Sequence, residues 1–222
     1  MNMITDQALY EQELAFFGKI TASISHELNN VLSIINEYTG LLNDLCSAAQ
    51  NDTQLDAERI QQISLNIAEQ IRREQKLIKL LNRFAHRFDA PIVAFDLSEL
   101  VNDIYLVSLR FAAMKKVTIE FQPVEERLSI TNNPYRLQFA IFLCLQLALN
   151  NADTNDSIKM NLRKEGYLNI ITISSRNKRM DEDPEHLMTL ISSLISIVDG
   201  KFEDEIDGDQ LRTITITLPI SI

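Results

Sequence analysis

The chain has 222 residues, 45% apolar and 23% charged, with a formal net charge of −10. That is room for one large domain or two modest ones around a real core, in a composition ordinary for a globular protein. The negative balance repels phosphate backbones and no sequential run of Lys and Arg offsets it, which argues against nucleic acid as a partner.

Two long helices are expected first. Between about Asp6 and Ala49, apolar residues recur as Phe16, Ile20, Ile24, Val31, Ile35, Leu42 and Leu45, with a second row through Phe17, Leu28, Leu32 and Leu41. Steps of three and four mark a helix stripe. The polar stretch NDTQLD (51–56) ends the pattern. A second stripe, Ile60, Ile63, Ile67, Ile71, Ile78, Leu81 and Ala85, spans about Leu55 to Phe88, and Pro91 stops it. A 44-residue helix is about 65 Å long, and two of them cannot bury both apolar faces alone. A second copy closing a four-helix bundle across a twofold axis solves this, so a homodimer is expected.

After about residue 92 helix and strand signals alternate. A helix from a Ser98 cap to Ala113 is followed by strands at 117–123 and 128–131. Asn133-Pro134 opens an apolar helix to about Ala152. Strands 157–163 and 168–174 turn at Glu165-Gly166. A helix from Pro184 to Val198 precedes a closing hairpin, 201–206 and 211–220, around Asp207-Gly208-Asp209. The fold class expected is α+β: a helical hairpin over 1–90, then an α/β sandwich over 91–222 with helices on one face of a mixed sheet.

Cys46 and Cys144 show no metal-ligand spacing, and buried thiols are expected for both. No apolar stretch reaches the ~18 residues that span a bilayer. The segment MNMITDQALYEQ lacks a basic region followed by an apolar run. A cytoplasmic location without membrane contact is therefore expected.

Within SISHELNN (23–30), His26 lies about 160° from both Ile24 and Leu28 on a helix, away from the apolar stripe. Its neighbours on that face are Lys19, Ala22, Ser23, Asn29, Asn30 and Ser33, mostly small and polar, so a large partner meets no obstruction. One reading is a solvated histidine. The other is a phosphoryl acceptor, because neutral imidazole is a good nucleophile at cellular pH. Glu27 is placed to orient the ring, and Asn30 to orient a phosphoryl oxygen or a water. His86 is expected at a helix end and His186 in an exposed first turn.

The stretch FFGKITASISHELNNVLSIINEYTGLLNDL resembles the phosphoacceptor helix of two-component histidine kinases, whose box commonly reads His-Glu-Leu-Arg-Thr/Asn-Pro. His26, Glu27, Leu28 and Asn30 match, and Val31 stands where proline is usual. The hairpin then resembles that family's dimerisation domain, and the strands and helices after 92 its ATP-binding domain. The resemblance implies that His26 is phosphorylated, that Glu27 is its acid-base partner, and that Asn30 handles the phosphoryl group or its water.

The nucleotide-binding motifs of that family are missing. Aligning its metal-binding asparagine helix on Leu137 and Gln138 puts Phe142 and Gln146 at the two Asn positions, with Asn150 and Asn151 one turn further on. The Asp-x-Gly-x-Gly segment is replaced by Ser175-Arg176-Asn177-Lys178-Arg179. The segment EDPEHLMTLISS, where a phosphate-cradling Gly-x-Gly loop belongs, has no glycine. The five glycines, Gly18, Gly40, Gly166, Gly200 and Gly208, fit helix and hairpin positions instead. Asp181, Glu182 and Asp183 would repel a triphosphate.

Together these imply a dimeric histidine phosphotransferase with no cofactor of its own. His26 would carry a phosphoryl group between aspartates of response-regulator receiver domains, one of which could sit on a hybrid histidine kinase. The receivers would supply Mg²⁺ and acidic pockets. Lys19, Ala22, Ser23, Asn29, Ser33 and Arg83 form the expected docking face. The alternatives are a regulator that binds a kinase or receiver without transfer, and a phosphatase in which Asn30 positions water.

Overall fold

The computed structural model describes residues 6–49, 56–176 and 185–220. The expectations about the 51–55 tip, the Leu55 helix start, Pro184 and the Asn177–Arg179 and Asp181–Asp183 segments lie outside the described residues.

The described residues form five helices and seven strands in an α+β arrangement. The helices are α1 (Asp6–Ala49), α2 (Ala57–His86), α3 (Leu97–Lys115), α4 (Pro134–Asn151) and α5 (Glu185–Ile197). The strands are β1 (Val93–Asp96), β2 (Thr118–Phe121), β3 (Ser129–Asn132), β4 (Ser157–Glu165), β5 (Leu168–Arg176), β6 (Lys201–Ile206) and β7 (Leu211–Pro219). They fall into two compact units, one within Met1–Gly18 and Phe84–Ile222, the other within Lys19–Arg83. The start of α1 and the end of α2 cluster with the sheet. Phe16 stacks on Phe139 at 4.7 Å between ring centroids, and Phe84, Tyr135 and Phe142 close around it.

A mixed five-stranded sheet in the order β2-β4-β5-β7-β6 forms the body of the first unit. β2 runs parallel to β4, and the other pairs are antiparallel. Ile158, Met160, Leu162, Ile171, Ile173, Ile214, Ile216 and Leu218 alternate onto one buried face, against which α3, α4 and α5 pack. β1 and β3 make a separate antiparallel pair. β1 is absent from the sequence reading because four residues, VAFD, carry too little alternation. The β4–β5 turn falls at Gly166 and Tyr167, one residue later than expected, with Gly166 at φ +59°.

Ser98 does not cap α3. Asp96 does: its carboxylate accepts from Ser98 N at 3.0 Å, Ser98 Oγ at 2.6 Å and Leu128 N at 3.2 Å. One oxygen thus ties the helix start to the β3 approach. Burial pulls the Asp96 pKa upward, but the hydrogen bonds from Ser98, Leu128 and Glu99 outweigh it, and the carboxyl sits below its ordinary value of 3.8. Asn133 caps α4 as expected, accepting from Arg136 N at 2.9 Å with Pro134 at the first helical position. Cys144 is buried, which pushes its thiol pKa far up, whereas Cys46 is exposed because α1 turns it outward, contrary to expectation.

Asp96→Ala should cost about 1 kcal/mol at neutral pH, the ordinary value of a lost cap. A carboxyl with a depressed folded pKa stabilises above its unfolded pKa and loses that contribution as pH falls through the folded one. Urea denaturation should therefore show the gap between wild type and variant closing below about pH 3.8.

Candidate functional site

In the unit within Lys19–Arg83, α1 and α2 run antiparallel, with Ile20, Ile24, Val31, Ile63 and Leu80 buried. His26 is exposed near the middle of α1, as are Lys19, Ala22, Asn29, Asn30 and Ser33. Ser23 differs from the reading as an open docking position: it is 7% exposed and turns toward the packed side. Arg83 is half-buried. Ser33 Oγ donates to the Asn29 carbonyl at 2.9 Å, so that hydroxyl is partly committed to its own helix.

Glu27 has a partner that sequence reading missed. Arg73 Nη2 donates to its Oε2 at 3.0 Å across the two helices. The signal was the steep amphipathic pattern of α2, in which Arg73 follows the groove edge. That pair fixes the carboxylate beside the histidine's turn. Three further cations, Arg72, Lys76 and Lys79, are exposed on α2. The spacing of Arg72, Lys76, Lys79 and Arg83, four, three and four, aligns them on one face. A sequential search finds no basic patch, but the helix makes one.

The second region of interest lies in the sheet unit. Phe142 is buried in the aromatic cluster, with Phe111 at 5.5 Å from its ring, and has no oxygen to offer a metal. Asn150 Oδ1 accepts from Lys115 Nζ at 2.8 Å, so an ammonium already holds that oxygen. Asn151 is buried and its Nδ2 donates to the Leu147 carbonyl at 2.9 Å. Ser175 is buried on β5 and pairs in register with Arg212 on β7. The Arg212 guanidinium makes two 2.7 Å hydrogen bonds to Asp204 and reaches Met188 Sδ at 3.3 Å. Among the described residues, no cluster of three or more His, Cys, Asp or Glu side chains could hold a metal ion.

His86 ends α2 and lies 2.8 Å from Asp89, and His186 is exposed in the first turn of α5. Tyr135 and Arg136 hold the start of α1: Tyr135 Oη donates to the Glu13 carbonyl and Arg136 Nε to Glu13 Oε1 at 3.0 Å. Burial and the Glu13 charge raise the Tyr135 pKa, so its phenol stays a donor. No helix among the described residues is long and apolar enough to cross a membrane.

The fold is histidine-kinase-like. A histidine kinase from Burkholderia phymatum STM815 matches 99% of this chain and 100% of its own, with a TM-score of 0.53 at 13% identity. The nucleotide-free catalytic domain of histidine kinase ThkA matches 59% of this chain and 97% of its own, with a TM-score of 0.51 at 15% identity. Sporulation kinase B of Bacillus subtilis (strain 168) is 21% identical over 181 residues, 81% of this chain. The chain spans 40% of the length of that relative. No family model matches.

Asp204→Ala should destabilise the sheet unit by ~3–5 kcal/mol, because it leaves the Arg212 cation buried and uncompensated. Adding Arg212→Leu to that variant should recover most of the loss. Urea midpoints of the two variants check both steps.

Proposed function

We propose that this chain is a histidine phosphotransferase that carries a phosphoryl group through His26 and does not draw it from ATP. The observation that carries the reading is a contrast within the chain. The His26 surface is open and polar, while Arg212, locked to Asp204, fills the space beside Ser175, where the kinase resemblance would put an adenine-reading aspartate. The residues present do not fit a nucleotide. Phe142 and the Lys115–Asn150 contact likewise do not fit a nucleotide-bound metal.

The transfer is an in-line displacement. The unprotonated ring nitrogen of His26 attacks the phosphorus of an aspartyl phosphate on a receiver domain. The bond from phosphorus to the carboxylate oxygen breaks, and the aspartate leaves with that electron pair. Glu27, held by Arg73, orients the ring through its second ring nitrogen, and the proton there is shed to Glu27 or solvent as positive charge builds on the ring. Asn30, one turn on, donates to a phosphoryl oxygen. Reversal of these steps passes the group to a second receiver aspartate. The receivers would supply Mg²⁺, and this chain contributes no cofactor of its own to the transfer.

The protein works as a homodimer with a four-helix bundle. Leu32 is 45% exposed, and Ile71 and Ile78 are each 43% exposed, on the side of the hairpin away from His26. A second copy packed there removes these side chains from water and leaves the histidine free. The regulator and phosphatase readings differ from this one in the fate of the label.

Purified protein offered ³²P-labelled receiver domains should acquire acid-labile label, lost in His26→Ala and not acquired from ATP alone. Label from ATP alone would refute the nucleotide reading. Receivers that lose phosphate while this chain gains none would point to a phosphatase, and no exchange with any receiver to a regulator.

A further inference from the structure

The α2 face beside His26 is too basic for a chain of this charge. Residues 72–83 contain Arg72, Arg73, Lys76, Lys79 and Arg83 against one acid, Glu74, although the whole chain carries −10. At about 100° per residue, Arg72, Lys76, Lys79 and Arg83 fall within about 60° of one another and run three turns along the helix. Arg72, Lys76 and Lys79 are exposed and Arg83 is half-buried.

The Glu27–Arg73 bridge locates this stripe relative to the histidine. Moving round α1 from His26, Glu27 comes about 100° on, and buried Ile20, Ile24 and Val31 lie beyond it. Moving round α2 from Arg72, Arg73 comes about 100° on, with buried Ile63 beyond it and Leu80 near it. The helices run in opposite directions, so the two rotations have opposite sense. The 3.0 Å contact of Glu27 with Arg73 therefore puts His26 and the basic stripe on one side of the hairpin. The exposed apolar side chains Leu32, Ile71 and Ile78 lie on the other.

We infer that the Arg72–Lys76–Lys79–Arg83 stripe is the electrostatic docking surface for the acidic rim of a partner's aspartyl-phosphate pocket. The identity of that partner rests on the phosphotransfer reading; the surface itself rests on the charge and the geometry. An aspartyl phosphate pocket gathers carboxylates around a phosphoryl group, which complements four cations over three turns. The stripe draws that pocket toward the imidazole and sets which end of the hairpin it covers. Glu58 and Glu69 follow the same azimuth of α2 toward its start, so the surface changes sign along the helix and gives docking a direction.

The test titrates the 222-residue chain with purified receiver domains at increasing salt and also reads transfer of label to His26. Lys76→Glu with Lys79→Glu is the reversal. Lys159→Glu with Arg163→Glu, on exposed positions of β4, makes the same change in net charge elsewhere. Association at low salt should fall at least about tenfold in the first pair and much less in the second. Wild-type association should weaken with salt, and that of the first pair should barely respond. Equal losses in both pairs, or none in either, would overturn the surface. Label on His26 with binding indifferent to reversal and salt would keep phosphotransfer and reject the stripe. Binding lost only in the Lys76/Lys79 pair, with no label on His26, would keep the stripe and reject phosphotransfer. No binding to any receiver would reject both.

Discussion

The stacking of Phe16 on Phe139, with Phe84, Tyr135 and Phe142 around the pair, is the contact on which the rest of the sheet unit depends. Aromatic rings bury large apolar areas and their edge-to-face geometry adds specificity. The cluster seats the start of α1 and the end of α2 on α4, while Glu13 is gripped by Tyr135 and Arg136 at its border. The helix that carries His26 therefore begins as part of the sheet unit, whose share of it ends at Gly18, eight residues before the histidine. The same cluster decides the fate of α4. Its face is spent on packing, and Phe142 lies buried within the cluster.

The two polar pairs that matter most differ in what surrounds them. Glu27–Arg73 lies near solvent, so its direct contribution to stability is small, about 1 kcal/mol or less. Its consequence is positional, since it fixes the carboxylate next to His26 and the basic edge of α2. Arg212–Asp204 is buried, and its attraction mainly offsets the desolvation of both ions. Its consequence is to occupy volume between β6, β7 and α5 with charge that cannot be removed singly.

Much of the fold was legible in the sequence. The stripe through Phe16, Ile20, Ile24 and Val31 marked α1, because a long helix leaves a long periodic trace. Asn133-Pro134 marked the start of α4 through a cap with a local mechanism. The β6 limits of Lys201 and Ile206 followed from the Asp207-Gly208 turn. What failed was short or non-local. β1 has four residues, and Asp96 rather than Ser98 caps α3 because its oxygen also satisfies Leu128, 32 residues away. Ser23, polar and adjacent to the site, turned inward, which depends on where α2 crosses rather than on residue type.

By itself the sequence determined the exposed position of His26 and the order of helices and strands. Those are matters of periodicity and of local backbone freedom, which a chain carries in its own letters. Only the tertiary structure decided that Arg73 meets Glu27, that Arg212 fills the space opposite Ser175, and that four cations align beside the histidine's face. Each of these joins residues far apart in sequence or winds them onto one side of a helix, and such contacts exist only once packing has fixed the geometry.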